Sequence, residues 1–186
     1  MRWKNDGGET AEIAAAPRSD TLDGFDWRLS IARVTRDGPF STFPAVDRTL
    51  TILDGAGLRL TIGNAIHVLT RESSPLAFPA DVATESLLLD GPVTDFNVMT
   101  RRGRFAHVIE RIELSCEMTR RIAGDVVAVF CADGRFGCDI DGRAAAWLGP
   151  HDCGLLENVD AQLALTAESA SVALLVTIYR TAGAAE

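Results

Sequence analysis

Short apolar runs that alternate with a period of two, each closed by an Asp-Gly or Gly-Pro step, constrain this chain more than any other feature. In "WRLSIARV" (27–34), Trp27, Leu29 and Ile31 fall on one side and Arg28, Ser30 and Ala32 on the other, as successive side chains of a strand must. "RTLTIL" (48–53) sets Leu50 and Ile52 on one face and Thr49, Thr51 and Leu53 on the other. "GLRLTI" (57–62) groups Leu58, Leu60 and Ile62. The punctuation recurs at Asp37-Gly38-Pro39, Asp54-Gly55, Gly91-Pro92, Asp133-Gly134, Asp141-Gly142 and Gly149-Pro150. Many short strands between turn residues predict an all-β sandwich or barrel of antiparallel strands. No stretch carries a long amphipathic helix. Only 6–17 has room for a helical turn or two before Pro17, and its apolar positions are too few to decide.

A faint repeat accompanies the pattern. "TILDGAGLRLTI" (51–62) is echoed by "AVFCADGRFGCDI" (128–140), with one inserted residue and with Gly57 and Gly134 at the turns. Further strand-turn-strand stretches follow at 66–78 and 144–156. A duplicated β-unit accounts for this, with the basic segment at 100–104 as the joint between halves. At 186 residues, the whole chain suits one domain.

Several function classes are disfavoured. The net charge is −8 and only "RRGR" (101–104) is locally basic, so the electrostatic footprint of a nucleic-acid binder is missing. The N-terminal "MRWKNDGGET" lacks a signal-type apolar core, and no run nears the roughly 18 residues of a membrane span. A cytoplasmic protein with no membrane partner is expected. Cys116, Cys131, Cys138 and Cys153 form no CxxC pair and read as buried free thiols in strands. His67, His107 and His151 lie 40 and 44 residues apart, with no HxH or HExxH, so no metal or other cofactor is expected. His67 reads as a strand surface residue and His151 as a turn residue. No GxSxG elbow is present, Ser41 has no activating partner in sequence, and "DGAG" (54–57) reads as a hairpin turn rather than a phosphate loop.

What remains is a set of polar residues in strand-like surroundings. Arg28 and Ser30 share the alternate face of their run. Arg48 falls on the Leu50/Ile52 face while Asp47 points away from it. "DFNVM" (95–99) puts Asp95, Asn97 and Met99 on one face, with Phe96 and Val98 on the other. Lys4 and Asn5 follow Trp3. Together these supply ammonium, guanidinium and amide donors suited to a small carboxylate.

"WKNDGGETAEIA" (3–14), "WRLSIARVTRDGPFSTFPAVDRTLTILDGAGLRL" (27–60), "LAFPAD" (76–81) and "DGPVTDFNVMTRR" (90–102) resemble, in this order, the HutD/Ves family of the cupin superfamily. Members of that family occur beside histidine-utilisation enzymes or as stress-associated proteins. "GDVVAVFCADG" and "LGPHDCGLLEN" are similar to its second barrel unit. The resemblance implies a bicupin, two jelly-roll halves at about 1–100 and 101–186 packed as one unit, with no obligatory metal. It also implies a pocket lined by Trp3, Lys4, Asn5, Arg28, Ser30, Phe40, Ser41, Phe43, Asp47, Arg48, Phe78, Asp81, Asp95, Asn97 and Met99. Three departures stand out: Asp6 and only two glycines follow "WKN", "FPA" (43–45) replaces "FPG", and Ala80 replaces a Gly. A glycine required for positive φ or close approach has thereby been exchanged.

The resemblance implies a non-catalytic protein that binds a carboxylated intermediate of histidine degradation, of the N-formyl-glutamate type, and moderates that pathway. Lys4, Arg28 and Arg48 would be its cationic partners, with Arg48 the direct contact and Asp47 its orienting neighbour. Two other classes remain open: a metal-free cupin isomerase or hydrolase using Asp47 or Asp81 as general base, and a stress-linked interaction protein of the Ves type. Homodimerisation is left open as well.

Overall fold

The alternating runs become strands, and the sheet partners they find decide which residues meet. A computed structural model describes residues 7–17, 24–143 and 146–182; Trp3, Lys4 and Asn5 lie outside the described residues. The described residues hold fifteen strands and no helix, so none is long and apolar enough to cross a membrane. The chain divides into two compact units, Met1–Ala106 with Thr181–Glu186, and His107–Arg180.

The first unit has two sheets. One is built from β1 (Gly8–Ala16), β2 (Trp27–Val34), β4 (Val46–Asp54), β7 (Leu76–Pro79) and β9 (Val93–Arg101) in the order β1-β2-β9-β4-β7. The other contains β3 (Gly38–Pro39), β5 (Leu58–Ile62), β6 (Ala65–Leu69) and β8 (Thr84–Leu88) in the order β3-β8-β5-β6. Leu50 and Ile52 of the first sheet cluster with Leu58, Leu60 and Leu69 of the second. The sheets therefore pack face to face, and burying each such side chain contributes roughly 1.5–3 kcal/mol. Neither sheet closes on itself into a barrel.

Two expectations are corrected here. The stretch 6–17 carries no helical turn among its described residues: Gly8–Ala16 is a strand paired with β2. Its Ala-rich sequence favours helix locally, but the pairing offered by a neighbouring strand overrides that weak preference. Residues 54–57 are not a hairpin turn either. β4 and β5 belong to different sheets, so the turn carries the chain from one sheet to the other. Gly57 is required there: its φ is +122°, and a Cβ would lie 2.1 Å from the Leu69 carbonyl oxygen. Gly134 is demanded by its backbone in the second unit as well, with φ +75° and Ser171 Oγ 2.4 Å from where a Cβ would stand.

The second unit contains β10 (Phe105–Leu114), which starts at the unit boundary, β11 (Glu117–Asp133), β12 (Phe136–Ile140), β13 (Ala146–Leu148), β14 (Cys153–Ala167) and β15 (Ser171–Arg180) in one sheet ordered β10-β15-β11-β14-β12-β13. β11 and β14 pair along nearly their whole lengths, except at Asp125 and Asn158, where Asn158 takes φ 49°. Beyond that corner, Phe136–Ile140 continues the sheet from the far end of β14. The unit's core is apolar, with Val127, Val129, Phe136, Leu163, Leu165 and Leu175 at its centre. Cys131 is buried there, but Cys116 is exposed, contrary to its reading as a buried thiol. It lies in the turn between β10 and β11.

Candidate functional site

β2, β9 and β4 are neighbours, and their registers align three rows of side chains on one face of the first unit's larger sheet. Arg28 is opposite Met99, which is opposite Arg48; Ser30 is opposite Asn97, and Asn97 opposite Leu50; Ala32 is opposite Asp95, and Asp95 opposite Ile52. Directly opposed residues share a face, so the alternation read from each run puts these polar groups together. Leu50 and Ile52 belong to the core between the two sheets, which makes this the inward face. Among the described residues the buried charged side chains are Arg28, Arg48 and Asp95, all on this face. A buried charge is costly unless paired, so each needs an account.

Arg48 is held from two directions. Its Nε donates to Asn97 Oδ1 at 2.8 Å, and its Nη2 donates to the same oxygen. Its guanidinium carbon lies 4.5 Å from the centroid of the Phe40 ring and 5.6 Å from that of Phe78, within cation–π range. Asn97 Nδ2 in turn donates to Asp95 Oδ1. Asp95 Oδ2 has no hydrogen-bond partner among the described residues. Burial pushes the Asp95 carboxyl up to about 6, against the opposing pull of the Arg48 charge and the Asn97 hydrogen bond. Burial likewise lowers Arg48 to about 10; Asp95 resists this and the nearby Arg28 charge adds to it.

Arg28 is also buried, and its Nε donates to Glu12 Oε2 at 2.9 Å. Ser30 is buried beside it. Phe43 and Met99 pack with Phe25, Val46 and Ala80, and the Phe25 and Phe43 rings are 6.0 Å apart. The segment carrying Phe43 is tied down by its backbone: Phe43 N donates to Ala80 O, and Ala80 N to Val46 O. Ala45, at the position where the family resemblance calls for glycine, has φ 55°, the left-handed region that glycine favours.

The other expected pocket residues are placed elsewhere. Ser41 is exposed. Asp47 faces away from Arg48 and is half-exposed, and both Asp47 and Asp81 bind Arg102, at 2.8 and 3.1 Å. Asp81 also accepts from Ala45 N. The hydrogen bond from Arg102 holds the Asp81 carboxyl below its ordinary range, the reverse of what a general base needs. The basic run 101–104 is thus a clasp: Arg104 binds Asp26 at 2.7 Å, and Arg101 Nε donates to the Phe25 carbonyl oxygen at 3.1 Å.

Glu12, Phe25 and Arg102 escaped the sequence reading. Glu12 carried one signal, a lone acid in the Ala-rich run "AEIAAA". His67 lies on β6 opposite Leu60 and is half-buried, and His151 is an exposed turn residue. No group of three or more His, Cys, Asp or Glu side chains suited to a metal ion occurs among the described residues. The inward face instead offers guanidinium, amide, carboxyl and aromatic groups, which suit an organic anion.

The second unit's buried sheet residues are apolar by contrast. β11 and β15 set Val127 opposite Thr177, Val129 opposite Leu175 and Cys131 opposite Ala173, whereas β4 and β9 set Arg48 opposite Met99, Leu50 opposite Asn97 and Ile52 opposite Asp95. Burial raises the Cys131 and Cys153 thiols to about 11, so they stay protonated and inert.

Known proteins similar to this one share both its sequence and its fold. An uncharacterised 21.2 kDa protein in the hutC 3′ region of Pseudomonas putida is 33% identical over 165 residues, 89% of this chain and 85% of that protein. Protein Ves of Cronobacter sakazakii is 37% identical over 128 residues, 68% of each chain. Among solved structures, HutD from Pseudomonas fluorescens SBW25 is similar with a TM-score of 0.82 and 28% identity, covering 98% of this chain and 94% of that one. A cupin 2 conserved barrel domain protein from Leptotrichia buccalis shares the fold at a TM-score of 0.62 and 12% identity, over 97% and 92% of the two chains. The HutD family profile matches residues 1–175, and the chain belongs to the HutD family.

Proposed function

We propose that the first unit binds a small carboxylate-bearing metabolite on its inward face and performs no chemistry on it. The observation that carries this reading is the pair of buried guanidiniums flanking Met99, in a unit whose counterpart is filled with apolar side chains. Arg48 still has donor capacity: its Nη1 has no acceptor among the described residues, while Nε and Nη2 are fixed by Asn97. A guanidinium pre-oriented in this way loses little entropy on capturing a carboxylate. Phe40 and Phe78 supply apolar walls beside it. The family name and the hutC-region relative support a histidine-degradation intermediate such as N-formyl-glutamate as the ligand, and a role in moderating histidine utilisation. The matching strand orders, β2-β9-β4-β7 beside β10-β15-β11-β14 and β3-β8-β5-β6 beside β11-β14-β12-β13, support reading the chain as a bicupin.

Calorimetry with N-formyl-glutamate, glutarate and urocanate tests the binding. Dissociation constants on the order of micromolar are expected from two charge-assisted contacts less the association cost. No heat and no thermal shift at millimolar ligand would remove the reading.

One observation favours a second reading. Asp95, raised to about 6, sits where a general base near neutrality should, unlike Asp47 and Asp81. An isomerase or hydrolase would therefore work through Asp95, and its turnover would vanish in Asp95→Asn while ligand binding persisted.

A further inference from the structure

Arg28 is already paired with an anion, and the way that anion is held sets it apart from the rest of the site. Arg48 is fixed by Asn97, and Asn97 is tied to Asp95, all on central strands. The partner of Arg28 is Glu12, on β1, the outermost strand of the sheet. Glu12 stands opposite Ser30, and the register shifts between Glu12 and Ala14. Edge bulges of this kind re-aim side chains. The Glu12 side chain is 47% exposed while that of Arg28 is 8% exposed. The bond it accepts from Arg28 Nε is the one hydrogen bond shown for its carboxylate, and the Arg28 Nη1 and Nη2 groups have no acceptor among the described residues.

We propose that Glu12 is a built-in competitor for the Arg28 end of the site, and that a ligand carboxylate binds there by displacing the Glu12 side chain into solvent. The proposal rests on the carboxylate-binding reading above. The exchange is like for like: one carboxylate leaves Arg28 as another arrives, so the buried cation is never left unpaired. Glu12 keeps Arg28 neutralised when the site is empty, and in doing so weakens the ligand. A ligand with one carboxylate, satisfied at Arg48, escapes this competition; a ligand with two does not.

The test is calorimetry at fixed pH and salt on the wild-type chain, Glu12→Gln and Glu12→Asp, with glutarate as the two-carboxylate probe and butyrate as the one-carboxylate probe. Glu12→Gln removes the competing charge at a half-exposed position, and Glu12→Asp keeps the charge but shortens its reach. Glutarate should bind about threefold to fivefold tighter to both variants, the scale of a partly exposed ion pair, and butyrate affinity should move by less than twofold. Unchanged or weaker glutarate binding in folded Glu12→Gln, with the wild type still binding, overturns the competitor role alone. Absence of heat in all three proteins overturns the carboxylate reading and this proposal with it. If Glu12→Gln fails to fold, Glu12→Asp decides by the same criterion.

Discussion

Arg28 and Arg48 stand opposite the same residue, Met99, one strand to each side of it. With strands about 4.8 Å apart, their Cα atoms are separated by roughly 10 Å, and both side chains share one face. Like charges so placed repel, which adds to the lowering of Arg48. Asp95 and Glu12 are the answering anions, one buried and fixed, the other half in water and exchangeable.

Removing the Arg48 charge should leave Asp95 without its counter-charge. Arg48→Met is expected to lose about 3 kcal/mol of stability at pH 7.5, and less at pH 5, where Asp95 takes up a proton. Adding Asp95→Asn should restore most of the loss. Denaturant unfolding of the two single variants and the double variant measures this coupling.

The raised pKa of Asp95 has a definite sign in stability. Its carboxyl holds a proton up to about pH 6 in the folded chain, against an ordinary value of 3.8, so this group's contribution is fully present below about pH 4 and is lost as pH rises to about 6. Asp95→Asn mimics the protonated form. It should be more stable than the wild type by about 1–3 kcal/mol above pH 6, with the difference closing near pH 4. Bound carboxylates should also tighten between pH 7.5 and 5.5 in the wild type, because neutralising Asp95 strengthens the local positive field, and should not do so in Asp95→Asn.

Ala45 pays a steric penalty that glycine would not, since a left-handed residue with a Cβ loses about 1–2 kcal/mol. After the entropy lost in fixing glycine, Ala45→Gly should still gain a few tenths to about 1 kcal/mol, a rise in Tm of about 1–4 °C. Thermal unfolding at constant pH checks it.

Arg102 binds Asp47 and Asp81 outside the inward face. Arg102→Gln should therefore leave the affinity for glutarate unchanged, whereas Arg28→Gln should lower it at least tenfold. Equal losses in the two variants would move the ligand to the Asp47–Asp81 side.

The facing of the site was legible because it depends on local alternation alone. Arg48 follows from Leu50 and Ile52, and Asp95, Asn97 and Met99 follow from one another. Which strands those residues meet is not a local property. Nothing within "DGAG" distinguishes a hairpin from a step between sheets, because the difference lies in the distant partners of β4 and β5. The same holds for Asp47 and Asp81, which look like pocket acids until Arg102, 55 and 21 residues further along, is brought beside them. Glu12 was hidden for another reason: its role depends on a bulge in an edge strand, and a bulge breaks the very periodicity by which strands are read.

β11 and β14 are single strands of 17 and 15 residues with one unpaired step, at Asp125 and Asn158, while the first unit breaks its chain into shorter strands, β3 then β4 and β7 then β8. The breaks, 40–45 and 80–83, hold Phe40, Phe43, Ala45 and Asp81. Interrupted ladders open more readily than continuous ones, so amide exchange should be fastest there and slowest along β11. The second unit keeps long strands around an apolar core, and the first carries the irregular backbone and the buried charge. Substitutions that exchange one aliphatic for another should then pass almost unnoticed in the second unit, while the first has little freedom left to drift.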